Sequence, residues 1–287
     1  MIQSILSIQS CVSYGHVGNS AVTFPLQRLG VDVWPIHTVL FSNHTGYGQW
    51  GGRVFDIEAV RDVFLGIKDR GVLHKCHALL SGYMGSKDLG KVMIEAIEEL
   101  RKINPDTIYC CDPVMGDVGR GFFVKEGIPE FFKNVMIQYA TIITPNHFEL
   151  EYLSNRKIET IEEAVLAAQE ILQMGPKVIL ITSLLLKNEH NKNINMVVVD
   201  KNNVFIATTP YIDITLNGTG DITAALFTHF YIKHNYNLAK ALEDTIARVY
   251  SIIEKTYEEN SRELVLIKAQ DYLIQPKHFF KATKLFH

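Results

Sequence analysis

Residues His77–Pro113 read HALLSGYMGSKDLGKVMIEAIEELRKINPDTIYCCDP. The stretch opens on an apolar run, HALLSGY, passes through a helical pattern, SKDLGKVMIEAIEELRKI, and closes on a second apolar run, TIYCCDP. Apolar runs on either side of a helix-length segment predict a strand–helix–strand unit, and a helical crossover of that length lets the two strands lie parallel. The same alternation extends both ways. Upstream, SILSIQS is a predicted strand, residues 19–29 a helix containing Pro25, and VDVWPIHTVLF a second strand. DIEAVRDVFLGIKDRG follows as an amphipathic helix, with Ile57, Val60, Phe64 and Ile67 on one face and Gly71 suited to its end. Downstream come a helix near 127–138, the strand ATIITPN, a helix over 160–174 and the strand KVILITS. Residues 194–200 and 203–209 flank KNN like an antiparallel hairpin, and long helical segments occupy 222–259. The expected architecture is one α/β domain over residues 1–287, a mostly parallel sheet with helices on both faces.

Composition narrows the class further. The chain has 287 residues, 47% hydrophobic and 21% charged, in the ordinary range for a soluble globular protein with ample core material. A net charge of −3 and the lack of any Lys/Arg-rich run argue against nucleic acid or an anionic membrane as partner. No apolar run approaches the roughly 20 residues that span a bilayer. The amino-terminal MIQSILSIQSCVSYG lacks the features of a signal peptide. Cys11, Cys76, Cys110 and Cys111 do not have the spacing of a disulfide framework, so a cytoplasmic location is expected.

Several predicted strands end in polar or glycine-bearing residues: Ser10, Asn43-His44-Thr45, Ser81-Gly82-Tyr83, Asp112-Pro113, Thr144-Pro145-Asn146 and Thr182-Ser183. Ligands of open parallel sheets bind beyond the carboxyl ends of the strands, so these residues mark a site. Three tempting motifs are set aside. GYGQWG (Gly46–Gly51) matches G-x-G-x-x-G, but GRVFD intervenes before any helical pattern. GSKDLGKV (Gly85–Val92) resembles a P-loop, yet Val92 has no hydroxyl for Mg²⁺, and Gly90 and Lys91 read as exposed helix positions. HKCH (His74–His77) lacks a second ligand pair and reads as a turn entering a strand.

Seven segments occur in order along nearly the whole chain: IQSCVSYGHVGNSA, WPIHTVLFSNHTGYGQW, LSGYMGS, CDPVMGD, TPNHFELE, LITS and GTGD. In these the chain resembles the pyridoxal kinases of the ribokinase-like superfamily. The resemblance implies a three-layer sandwich and transfer of the γ-phosphoryl group of ATP to the 5′-hydroxyl of pyridoxal in vitamin B6 salvage, with pyridoxine and pyridoxamine as further substrates. It also implies Mg²⁺, room for a monovalent cation, and a homodimer. By position, backbone amides of Gly218, Thr219 and Gly220 at a helix amino terminus would form an anion hole for the γ-phosphate, and Asp221 would be the base. A helix-terminal aspartate is expected to be weakly basic, since the dipole favours its ionised form, and a loose transition state tolerates this. Ser10, Val17, His44, Thr45, Gly46, Tyr83 and Asp221 would meet the vitamer, with NHTGYG as a mobile cover. Asp112, Asp117, Thr144, Asn146, Glu149, Thr182 and Ser183 would approach the triphosphate or ribose. Asp112 and Glu149 would hold Mg²⁺ partly through water, and Thr209, Pro210, Tyr211 and Ile212 would line the adenine.

Taken singly, many of these residues admit structural roles. Ser10 fits a strand-end cap, Val17 and Tyr83 fit core packing, Asp117 an exposed turn, and Glu149 and Asp221 helix-start carboxylates. The chain departs from close relatives in carrying Gly46 where many have glutamine, which bears on vitamer preference. It carries Thr182 where some bacterial relatives have lysine, which bears on nucleotide contacts. A hydroxymethylpyrimidine kinase shares the scaffold but commonly places cysteine where Asp221 stands. A non-catalytic B6 carrier would need no base after the glycine turn.

Overall fold

The segment His77–Pro113 folds as a strand, a helix and a second, parallel strand in the computed structural model, which describes residues 3–186 and 192–285. The chain begins β1 (Ser4–Val12), α1 (Asn19–Arg28), β2 (Asp32–Phe41), β3 (Gly52–Val54) and α2 (Ile57–Asp69). It continues with β4 (Ala78–Ser81), α3 (Lys87–Ile103), β5 (Ile108–Cys111), and a small hairpin of β6 (Gly116–Asp117) and β7 (Gly121–Phe122). Then come α4 (Ile128–Phe131) and α5 (Ile137–Tyr139), joined by a π turn over Phe132–Met136, and after them β8 (Ile142–Ile143), α6 (His147–Ser154) and α7 (Ile161–Leu172). β9 (Val178–Leu184), β10 (Asn193–Asp200), β11 (Val204–Pro210), α8 (Thr219–Lys233), α9 (Leu238–Glu258), α10 (Gln270–Ile274) and β12 (Thr283–Lys284) complete it.

The sheet runs β12-β11-β10-β9-β8-β5-β4-β1-β2-β3. Strands β9, β8, β5, β4, β1 and β2 form a parallel block. The expected hairpin of β10 and β11 extends it antiparallel on one side, and β3 does so on the other. The central strands β4, β5 and β8 are buried on both faces along their whole length, and their runs are nearly all apolar, without alternation. Leu79, Tyr109, Cys111, Ile143 and Ile179 point into one core, under α2, α3, α6 and α7. Ala78, Leu80, Ile108, Cys110, Ile142 and Val178 point into the other, under α1, α8, α9 and α10. This is a three-layer sandwich.

Helix α3 shows how sequence sets the packing. Leu89, Val92, Met93, Ala96, Ile97 and Leu100 recur at three- and four-residue spacing and are all buried. Gly90, expected at the surface, is buried instead: a Cβ there would come within 2.4 Å of Phe131 Cε1. It is a small residue that lets α4 approach α3. Lys91 is exposed and pairs with Asp88 at 2.7 Å. GYGQWG forms a single 3-10 turn (Thr45–Tyr47) and runs on to β3 rather than to a helix. HKCH forms a turn entering β4, with Cys76 buried and its thiol pushed up to about 11 by burial.

Candidate active site

The strand ends converge on one cleft of about 590 Å³ beyond the carboxyl edge of the sheet. All the singled-out site residues except Gly46 line it. Its construction starts at β1. The β1–β2 register breaks between Gln9 and Cys11, and this bulge re-aims Ser10 into the cleft. The Ser20 hydroxyl braces the bulge, donating to Val12 O at 2.6 Å and accepting from Val12 N at 3.1 Å. Beside it, Val12, Val39 and Phe41 form a third apolar cluster with Val17 and Tyr83, separate from the two cores. These side chains wall one end of the cleft.

Residues 44–47 overhang that end. His44 is buried, and its Nε2 lies 3.0 Å from Glu263 Oε1. The Tyr47 hydroxyl donates to the same oxygen at 2.7 Å, and the His16 amide donates to Glu263 Oε2 at 3.1 Å. The Glu263 bond pushes the Tyr47 hydroxyl up to about 12. Arg262 donates to Gly46 O at 2.9 Å and stacks 3.8 Å from the centroid of Tyr47. Gly46 does not line the cleft, but its lack of a side chain matters, because a Cβ there would sit 2.9 Å from His44 Nδ1. Sequence reasoning missed Glu263 and Arg262, which lie in an irregular loop over 200 positions from the residues they hold.

The glycine turn opens α8. Gly218 is its N-cap with φ +87°, and a Cβ there would meet His16 O at 1.9 Å, so both conformation and space demand glycine. The first amides of a helix have no partner within it, and Gly218, Thr219, Gly220 and Asp221 at this helix start all line the cleft. Asp221, the third helical residue, was expected to have a depressed pKa. Burial instead pushes its carboxyl up, eased by the Gly18 backbone amide.

Asp112 directly follows β5, buried, and its carboxyl is raised to about 8 by burial and by the charge of Asp221. The Thr144 hydroxyl opposes this by donating to Asp112 Oδ1 at 2.9 Å. Glu149 forms a capping box with Asn146 at the start of α6, its Oε2 accepting from the Asn146 amide at 2.9 Å. Its Oε1 accepts from the Met115 amide at 3.0 Å. Burial and then Asp112 push the Glu149 carboxyl well up. The Asn146 side chain is committed to the cap and, through Nδ2, to Gly116 O at 2.8 Å. Asp117 is exposed at the rim, its Oδ1 accepting from the Val118 amide at 2.8 Å. Thr182 and Ser183 lie near the end of β9, just before Leu184, and are half-buried. Thr209, Pro210, Tyr211 and Ile212 line the far end together with Ile246, Val249, Tyr250 and Ile253 of α9, an apolar face that the sequence did not assign to the site.

Among known proteins, the phosphomethylpyrimidine kinase family model matches residues 56–265. The pyridoxal kinase PdxY of Rubrobacter xylanophilus is 47% identical, covering 98% of this chain and 97% of the relative. That of Corynebacterium diphtheriae is 45% identical, with 98% and 99% covered. A Leishmania donovani pyridoxal kinase solved with ADP and pyridoxamine superposes with a TM-score of 0.92 at 29% identity, covering 99% of this chain and 100% of that one. The chain is thus a small-molecule kinase of the phosphomethylpyrimidine kinase family and, within it, belongs to the pyridoxal kinases.

Proposed function

We infer that this chain transfers the γ-phosphoryl group of ATP to the 5′-hydroxyl of pyridoxal, giving pyridoxal 5′-phosphate, with pyridoxine and pyridoxamine as further substrates. The observation that carries the reading is one continuous cleft that joins an apolar wall, a glycine-turned helix start and a second apolar face on α9. Solved relatives hold ADP with pyridoxamine, and AMP-PNP with PL.

Phosphoryl transfer is largely positioning and electrostatics. Amides at residues 218–220 are preorganised donors for negative charge on the transferred group, each such donor worth roughly 3–4 kcal/mol in the transition state. Ser10, Val17, Tyr83, His44 and Thr45 orient the ring. Asp221, seated against Gly18 and facing Asp112, takes the hydroxyl proton on its carboxylate, and its raised pKa makes it a better base than its helix position alone would allow.

Asp112 and Glu149 fit a Mg²⁺ ion. Both offer hard oxygens, and each is destabilised as an anion by burial beside the other acids, a cost that a cation relieves. Among the described residues no three His, Cys, Asp or Glu side chains cluster as a metal site, so water and substrate oxygens would have to complete the ion's coordination. Mg²⁺ bound with the nucleotide would neutralise phosphate charge. Thr144 holds Asp112 in place, and Thr182, Ser183 and the exposed Asp117 meet the phosphates or ribose. Residues 209–212 and α9 enclose the base. Family membership supports a single-domain homodimer in the cytoplasm and a monovalent cation as a further activator. No helix among the described residues is long and apolar enough to cross a membrane.

The decisive assay offers ATP·Mg²⁺ with pyridoxal, pyridoxine, pyridoxamine and hydroxymethylpyrimidine side by side. Pyridoxal is expected to be phosphorylated. Turnover of hydroxymethylpyrimidine alone, or of none, refutes the reading.

A further inference from the structure

Four carboxyl groups, those of Asp112, Asp117, Glu149 and Asp221, line the cleft, and Arg120 is the one Lys or Arg that does so among the described residues. When ionised these acids repel a polyphosphate, and beside the Mg²⁺ proposed above the guanidinium is the one fixed positive charge among the described residues that line the cleft, so its position matters. Arg120 sits in the turn of the β6–β7 hairpin, between Gly119 (φ +80°) and Gly121 (φ +69°). Its Nη1 donates to Asn217 Oδ1 at 3.3 Å, and Asn217 directly precedes Gly218 of the glycine turn. Its Nη2 lies 3.5 Å from the point a Gly46 Cβ would occupy. The guanidinium therefore reaches between the overhang that covers the apolar pocket and the helix start that presents amides. The guanidinium also lies 5.6 Å from the Phe123 ring centroid and attracts the Asp117 carboxyl, but none of these partners engages its planar fork of five N–H donors as the oxygens of a phosphate can.

We propose that Arg120 binds the phosphoryl group that is transferred, holding the terminal phosphate of the nucleotide before transfer and the phosphate of the product afterwards. The proposal rests on the kinase reading above. It assigns Arg120 a contact with the third phosphate and none with the base, the ribose or the first phosphate.

The test is a ladder of ligands measured by calorimetry with Mg²⁺ present: AMP, ADP and AMP-PNP, then pyridoxal and pyridoxal 5′-phosphate. Arg120→Ala should weaken AMP-PNP and pyridoxal 5′-phosphate about 10- to 100-fold, as befits loss of a hydrogen bond between charged groups. AMP and pyridoxal should bind within twofold of the parent. Arg120→Lys, which keeps the charge and loses the fork, should recover part of the AMP-PNP affinity. Unchanged AMP-PNP binding in the alanine variant overturns the proposal. So does an equal loss for AMP and AMP-PNP, or a lysine variant no better than alanine. Failure of the parent protein to bind AMP-PNP refutes the kinase reading itself, and the proposal falls with it.

Discussion

Asp221 sits where two effects oppose each other. Its place in the first turn of α8 favours the anion by roughly 0.3–1 kcal/mol, while burial disfavours it, and burial prevails. The strand-end polar residues were legible in the sequence because they close apolar runs, and the glycine turn with its aspartate because it completes the ordered family motifs. The direction of the Asp221 shift was not, since burial by residues distant in sequence decides it. Asp221→Asn is expected to retain ATP binding and to lose pyridoxal phosphorylation by roughly 10²- to 10⁴-fold; near-normal turnover would remove it as the base. Glu149 has two tasks, capping α6 and raising carboxyl density near Asp112. Glu149→Gln should raise the Mg²⁺ concentration for half-maximal activity, and an unaltered Mg²⁺ titration would leave Glu149 as a cap alone.

At the scale of elements, the long periodic segments were readable, α3 and α7 above all, and the structure adds a Thr160–Glu163 capping box at the start of α7. Strands β3, β6, β7 and β12 were not, because two or three residues cannot display a period and only their pairing partners define them. Gly90 misled for a related reason: a glycine carries no sign of which side of a helix it faces, and its burial depends on Phe131 from another element. The overhang over the cleft is held from outside the pocket by Glu263, which joins residues 16, 44 and 47. Glu263→Gln should raise KM for pyridoxal about tenfold, the scale of one weakened charged hydrogen bond, with KM for ATP within twofold. A parallel rise in both constants would show that the clamp does not act on one substrate.

Across the whole molecule, alternation of strands and helices revealed the parallel sheet but not its strand order, which depends on contacts between distant segments. The edge opposite the cleft carries a stability determinant. His229 is buried on α8, hydrogen-bonded to Gln3 Oε1 at 2.8 Å, with its Nε2 unpartnered among the described residues. Burial, then Lys233, Arg248 and His234, push its pKa down to about 4, against the opposing pull of Asp244. Below pH 6.5 the unfolded chain takes up a proton that the folded one refuses, so stability is full above that pH. It declines towards about pH 4, with a slope of up to about 1.4 kcal/mol per pH unit. His229→Gln should flatten that part of the profile in chemical denaturation, and an unchanged slope would exclude His229 as its source.

The amide-bearing helix α8 belongs to one outer layer of the sandwich, and α6, with Glu149, belongs to the other. Any molecule that engages both ends of the cleft floor therefore rivets the two layers together across the sheet rim. Occupancy should then slow deuterium uptake in helices that never touch the bound molecule, since opening either layer would first require the rivet to be released.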